Sequence, residues 1–282
     1  MTSDQRLTAT DGSGFLSGFW NMLVKENGRW IKTRRWLVQS VIWLLLLNGL
    51  VTMMLYLESE VTIQGPPGSD LGPPGSDLGP PGSDLGPPSY VDVFFALMGS
   101  MTPFGVMVLT QSDIVGEKQS GTAEWVLSSP LSRDAFLLSK LLVNALWIFG
   151  LLVGLQGLAF NVVLARFGVG TVPWMDLARA LGMECLHLAF WLTLTMMLGT
   201  FFSGRGPVLG IPIALLILQN LSGLAAIWVP SLPQYMPKRL TEMATALAMG
   251  EPLSTWVPIA SVAVCSVVFV VVALWRFKRE EF

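Results

Sequence analysis

The stretch that decides the fold is Asp113 to Lys140, DIVGEKQSGTAEWVLSSPLSRDAFLLSK, a polar island between two long apolar runs. Its punctuation is that of ordered structure. Thr122 is a suitable helix N-cap, Glu124 falls in the first turn where a carboxylate meets the positive helix end, and Pro130 stops the helix after about two turns. Ser132 offers a second N-cap, with Asp134 just inside a helix that continues into apolar sequence. Trp125, Val126 and Leu127 are apolar residues that a solvent-facing helix disfavours unless a partner or the membrane surface covers them. The pattern predicts a short helix outside the bilayer, rigidly joined to a membrane-spanning one. The competing reading is an ordinary loop whose charges are solvated.

Composition independently sets the class. Of 282 residues, 52% are apolar and 13% charged, with a mean hydropathy of +0.59. A soluble domain carries about a quarter charged residues, so the chain is expected to be an all-α polytopic membrane protein. Cys185 and Cys265 lie in apolar runs and read as small core residues. No GxxxxGK[ST] loop or GxSxG is present, and one histidine with two cysteines cannot build the common zinc sites. The expectation is a non-enzyme with no catalytic, cofactor or metal residues, drawing its energy from a partner or a gradient. No nucleic-acid partner is expected.

Residues 1–14 form a polar stretch without the marks of a signal peptide and are expected to be a cytoplasmic tail. Residues 15–35 predict an amphipathic interfacial helix, with Phe15, Leu16, Phe19, Trp20 and Leu23 opposite Ser17, Asn21, Lys25, Arg29 and Lys32. Six spans are predicted near 36–57, 90–111, 136–167, 176–202, 208–229 and 253–275. Gly99 and Pro103 mark a kink in the second span. Three copies of GPPGSDL, continued by GPPS, fill residues 65–88. Their glycine spacing is not that of collagen, and paired prolines favour an extended, solvated spacer.

The 17 lysines and arginines set the orientation. With the N-terminus inside, only Arg166, Arg179, Lys238 and Arg239 fall outside, which satisfies the positive-inside rule. The polar island, residues 113–135, is then cytoplasmic, the repeat is extracellular and both termini are cytoplasmic.

Glu117, Gly121, Thr122, Glu124, Leu127, Pro130, Ser132, Arg133 and Lys140 together resemble the signature of type 2, exporter-class membrane subunits of ATP-binding-cassette (ABC) transporters. The resemblance implies that residues 36–282 are a six-span permease domain and that the short helix is a coupling helix docked on a separate cytoplasmic ABC ATPase, which carries ATP and Mg. It implies Glu117, Gly121, Thr122, Glu124, Leu127, Pro130 and Arg133 as shaping or contacting that partner. A second permease copy or a related subunit, in a prokaryotic plasma membrane, completes the expected assembly. Glu117 and Arg133 have a second reading, as an ion pair that holds the loop together.

Glu184 and His187 lie three apart on the fourth span and share a helix face. Ionisable groups in lipid are costly, so the pair is a candidate proton relay or substrate pathway. The alternative is a Glu184 that reaches water or a neighbouring helix. Gln156, Asn161, Gln219 and Asn220 read as interhelical hydrogen-bond partners. Two other functions fit the sequence: an ion-gradient-driven secondary transporter, and a membrane anchor or sensor that holds a partner through the extracellular repeat.

Overall fold

The computed structural model describes residues 18–63, 89–120, 132–221, 229 and 231–279, with side chains to residue 59 in the first stretch. The expected tail at 1–14, the start of the interfacial helix, the repeat at 65–88 and most of the coupling segment lie outside the described residues. Every regular element among the described residues is helical.

In chain order these are α1 (Phe19–Lys32), α2 (Arg35–Trp43) continuing through a π-helical turn (Leu44–Asn48) into α3 (Gly49–Ile63), and α4 (Tyr90–Gln119). Next come α5 (Arg133–Ile148), a second π segment (Phe149–Gly154) and α6 (Leu155–Phe167), then α7 (Trp174–Phe201) and α8 (Arg205–Asn220). A 3-10 turn (Leu232–Tyr235), α9 (Lys238–Ala248) and α10 (Val257–Lys278) complete the fold.

Among the described residues, five helical stretches are long and apolar enough to cross a bilayer: Arg35–Ser59, Tyr90–Gln119, Arg133–Phe167, Trp174–Phe201 and Val257–Lys278. Their outward faces carry Leu45, Leu146, Val162, Val264 and Val267, all more than half exposed, an arrangement that lipid satisfies and water does not. The protein is therefore a membrane protein with transmembrane helices. The predicted span at 208–229 is represented by α8, which has 16 residues and so extends about 24 Å, short of a full crossing; residues 222–228 are outside the described set.

Local chemistry explains the ends. Ser89 and Asp92 form a reciprocal capping box that starts α4, with Asp92 N donating to Ser89 Oγ at 3.2 Å and Ser89 N donating to Asp92 Oδ2 at 3.0 Å. Ser132 Oγ accepts from Ala135 N at 3.1 Å and starts α5. Gly168, with φ of 71°, ends α6 in the left-handed conformation. Arg34 adopts φ of 53° between α1 and α2, a conformation that costs an L-residue roughly 1–2 kcal/mol and turns α1 away from the following span.

α1 has three faces. Met22, Glu26 and Trp30 are buried against the bundle; Trp20, Val24 and Ile31 are exposed on an apolar stripe; Asn21, Lys25 and Lys32 are exposed between them. The first of these differs from the two-faced pattern expected from sequence, because Trp30 stacks on Trp147 of α5 with centroids 5.6 Å apart. Trp147 Nε1 also donates to Asn27 Oδ1 at 2.8 Å.

The two π segments are pinned to each other. Asn48 Nδ2 donates to Gln156 Oε1 at 3.0 Å, and Gln156 Nε2 donates to Leu151 O at 2.9 Å inside the second π segment. A π turn disturbs the regular ladder of backbone bonds, and the Gln156 amide supplies a donor there. The bundle core includes Phe94 stacked on Phe160 at 4.0 Å.

Candidate functional site

Two polar constellations stand out. The first surrounds the polar island. The second predicted span, expected near 90–111, continues as helix to Gln119, so Asp113 and Glu117 belong to the last two turns of α4 rather than to a loop. The helix persists there because its carboxylates meet cations from other elements instead of water.

Lys140 on α5 is 1% exposed and places its Nζ 2.8 Å from Glu117 Oε1 and 2.9 Å from Glu26 Oε1. The same ammonium lies 5.1 Å from the centroid of the Phe136 ring. Arg29 on α1 stands 3.4 Å from Asp113 and 3.5 Å from Glu117, and Arg35 on α2 stands 3.2 Å from Asp113. Three cations and three carboxylates thus join α1, α2, α4 and α5. A buried charge is tolerated only when paired, and here each buried member has an opposite charge within 4 Å.

Glu117 therefore finds its ion-pair partners in Lys140 and Arg29, and the sequence-level pairing of Glu117 with Arg133 gives way to this arrangement. Arg133 instead turns to the end of α10, donating from Nη1 to Lys278 O at 2.8 Å. That contact satisfies a terminal helix carbonyl with a cation, the favourable sense of the helix dipole. Lys278 Nζ meets Asp134 Oδ2 at 3.0 Å, and Phe136 stacks on Phe277 with centroids 5.6 Å apart. Lys118 Nζ donates to Thr200 O at 3.0 Å and Gln119 Nε2 to Ser203 O at 2.9 Å, tying α4 to the end of α7. Both flanks of residues 121–131 are thereby anchored. Gly121, Thr122, Glu124, Leu127 and Pro130 lie outside the described residues, as do Trp125 and Val126.

The second constellation lies inside the bundle. Glu184 and His187 on α7 are fully buried and meet, with His187 Nδ1 3.2 Å from Glu184 Oε2. Trp191, one further turn along, donates from Nε1 to His187 Nε2 at 3.0 Å. An indole N–H only donates, so Nε2 is the acceptor and the ring proton sits on Nδ1, facing Glu184. Thr241 Oγ1 on α9 stands 3.3 Å from the same Nδ1. Glu184 Oε1 is enclosed with no hydrogen-bond partner.

Trp191 was legible in principle, since positions 184, 187 and 191 share one helix face. Thr241 was not, because only tertiary packing carries α9 between α4 and α7. That packing depends on Gly99: a Cβ there would lie 2.4 Å from Thr241 Oγ1. α9 itself buries Leu240, Thr241, Met243, Ala244, Leu247 and Ala248, a broad apolar stripe unusual for a connecting segment.

The remaining intramembrane amides divide. Asn161 exchanges two hydrogen bonds with the backbone of Val172, at 2.8 and 3.0 Å, and so fixes the turn after α6. Gln156 bridges helices as expected, Asn220 bonds within its own helix to Leu216 O, and Gln219 has no hydrogen-bond partner among the described residues. Beside Gln219 a cavity of about 630 Å³ opens between α4, α8 and α9, with Thr241 in its wall. Among the described residues no group of three or more His, Cys, Asp or Glu is placed to hold a metal ion.

Comparison with curated proteins gives no match. A family model described as "Protein of unknown function (DUF2705)" matches residues 86–282, which contain α4 to α10, the buried histidine network and the α4 and α5 members of the charge cluster. With well over half of its length matched, the chain belongs to the DUF2705 family of proteins of unknown function.

Proposed function

We propose that the chain is the transmembrane permease subunit of an ABC transporter, an exporter driven by a separate cytoplasmic ATPase. The observation that carries this is the charge cluster: α4 and α5, which flank residues 121–131, are locked to each other and to α1 by Lys140, Glu117, Glu26, Arg29 and Asp113. A force applied to the intervening segment is delivered to two spanning helices at once instead of being absorbed by a floppy loop. Nucleotide binding on the partner biases one arrangement of the membrane part through that stiff connection.

In this reading α8 continues toward residue 229 as the sixth span, the charge cluster faces the cytoplasm, and the 65–88 repeat lies outside. Both termini are cytoplasmic in a prokaryotic plasma membrane. The exposed stripe of Trp20, Val24 and Ile31 rests on the lipid while Lys25 and Lys32 reach the aqueous phase. Two permease copies, or one with a related subunit, enclose the pathway. ATP and Mg belong to the ATPase, where Thr122, Glu124 and Leu127 supply the contact.

The test is a detergent pull-down from the source organism's soluble proteins, followed by an ATPase assay on what binds. An ATP-hydrolysing partner retained by the wild type and lost with Leu127→Asp is the expected result. Capture of no ATPase, or capture indifferent to Leu127→Asp, removes the proposal.

A second reading, gradient-driven transport, is favoured by Glu184, His187 and Trp191 buried beneath a polar cavity. Proteoliposomes containing the chain alone separate the two: flux that follows an imposed pH or sodium gradient without an ATPase supports the gradient mechanism. The anchor or sensor reading requires instead that deletion of residues 65–88 abolish function.

A further inference from the structure

The cavity between α4, α8 and α9 lies at the end of α4 opposite the charge cluster, and its wall carries several polar side chains among apolar ones. Two of its hydroxyls have already spent their protons within their own helices: Ser100 Oγ donates to Ala96 O at 2.7 Å and Thr245 Oγ1 to Thr241 O at 3.1 Å. Asn220 directs one Nδ2 proton to Leu216 O at 2.9 Å, and its Oδ1 is available as an acceptor. Each of these groups therefore presents lone pairs.

Carboxylates add to the same sense. Asp92, Glu242 and Glu251 line the cavity against the single lysine Lys238. Arg239 pairs with Glu242 and Asp92 Oδ2 accepts from Ser89, so among the described residues that line the cavity Lys238 is the one cation set against Asp92 and Glu251. At the inner wall Gln219 is 4% exposed, and its Oε1 has no hydrogen-bond partner among the described residues, an arrangement that costs free energy until a donor binds it. The volume is that of a small-molecule site.

We propose that this cavity binds an organic cation rich in N–H donors, of the polyamine class. An ammonium group meets the acidic wall and further N–H groups bond the acceptors of Ser100, Thr245 and Asn220, with Gln219 at the inner end. An anion is repelled, and a neutral polyol brings no charge to the carboxylates. Thr241, shared between this cavity and the His187 network, places the bound ligand one residue from the buried histidine. The proposal is independent of the permease reading, because binding is read on the isolated chain.

The experiment is isothermal titration of the full chain in a neutral maltoside detergent with spermidine, using sorbitol and succinate as neutral and anionic comparators. Saturable binding of spermidine alone is expected, weakened about tenfold or more by Gln219→Leu and several-fold by Glu251→Gln. Glu251 is exposed at the rim, so its variant retains the wild-type melting profile and decides the matter even if Gln219→Leu fails to fold. No saturable spermidine binding, equal binding of sorbitol or succinate, or spermidine affinity unchanged in Glu251→Gln overturns the proposal.

Discussion

Lys140 Nζ lies 2.8 Å from Glu117 Oε1, joining the second turn of α5 to the last turn of α4 across the segment that separates them in sequence. The ammonium is almost fully enclosed and shared with Glu26 of α1. Three helices thus share one cation.

Lys140→Met removes that cation and leaves Glu26 and Glu117 with the half-buried Arg29 as their shared partner. Breaking a buried pair by deleting one partner costs about 3–5 kcal/mol. Chemical unfolding in mixed detergent micelles is expected to show a loss of this order, whereas Lys32→Met, on the exposed face of α1, leaves the transition within about 0.5 kcal/mol. An equal response from the two variants contradicts the cluster.

His187 is the chain's single histidine, so its ring nitrogens can be observed alone after labelling. Nitrogen-15 spectra of the labelled protein are expected to show the proton on Nδ1, because Trp191 Nε1 donates to Nε2. Trp191→Phe removes that donor and weakens the preference, which Glu184 beside Nδ1 then holds alone. A wild-type spectrum with the proton on Nε2 shows that the indole bond is not formed.

Gly99→Ala places a methyl group 2.4 Å from Thr241 Oγ1, with Thr241 Cβ also within 2.9 Å. The helices must separate or Thr241 must turn, a cost of about 1–3 kcal/mol. The melting transition is expected to fall, and the His187 Nδ1 signal to shift as its Thr241 neighbour withdraws. Unchanged stability and an unchanged signal rule out the close approach of α4 and α9.

Asn48 and Gln156 are tested by a double-mutant cycle with leucine at each position. Their hydrogen bond joins the first π segment to α6 within the apolar bundle, where such bonds are worth about 0.6–2 kcal/mol. A coupling energy in that range is expected from unfolding measurements. Zero coupling means that the first π segment and α6 are held together by packing alone.

The all-helical class and the main apolar spans were legible because lipid leaves long apolar helices as the economical solution, and composition displays them directly. Ser132 as a helix cap was equally legible, since the bond runs to a residue three positions away. Glu184 and His187 were paired by the same local logic. The extension of α4 to Gln119 was not, because Asp113 and Glu117 suggest a loop until Arg29, Arg35 and Lys140 arrive from elsewhere.

What the chain alone determined, then, was everything set by short sequence spacing: membrane class, helix starts, and the shared face of Glu184 and His187. Tertiary structure decided the partners: Arg34 turns α1 so that Glu26 reaches Lys140, and α9 packs between α4 and α7 so that Thr241 reaches His187. The physical reason is range. Capping and amphipathicity act within one helical turn, while an ion pair such as Glu26 with Lys140 joins positions 114 residues apart and exists only after the helices have packed.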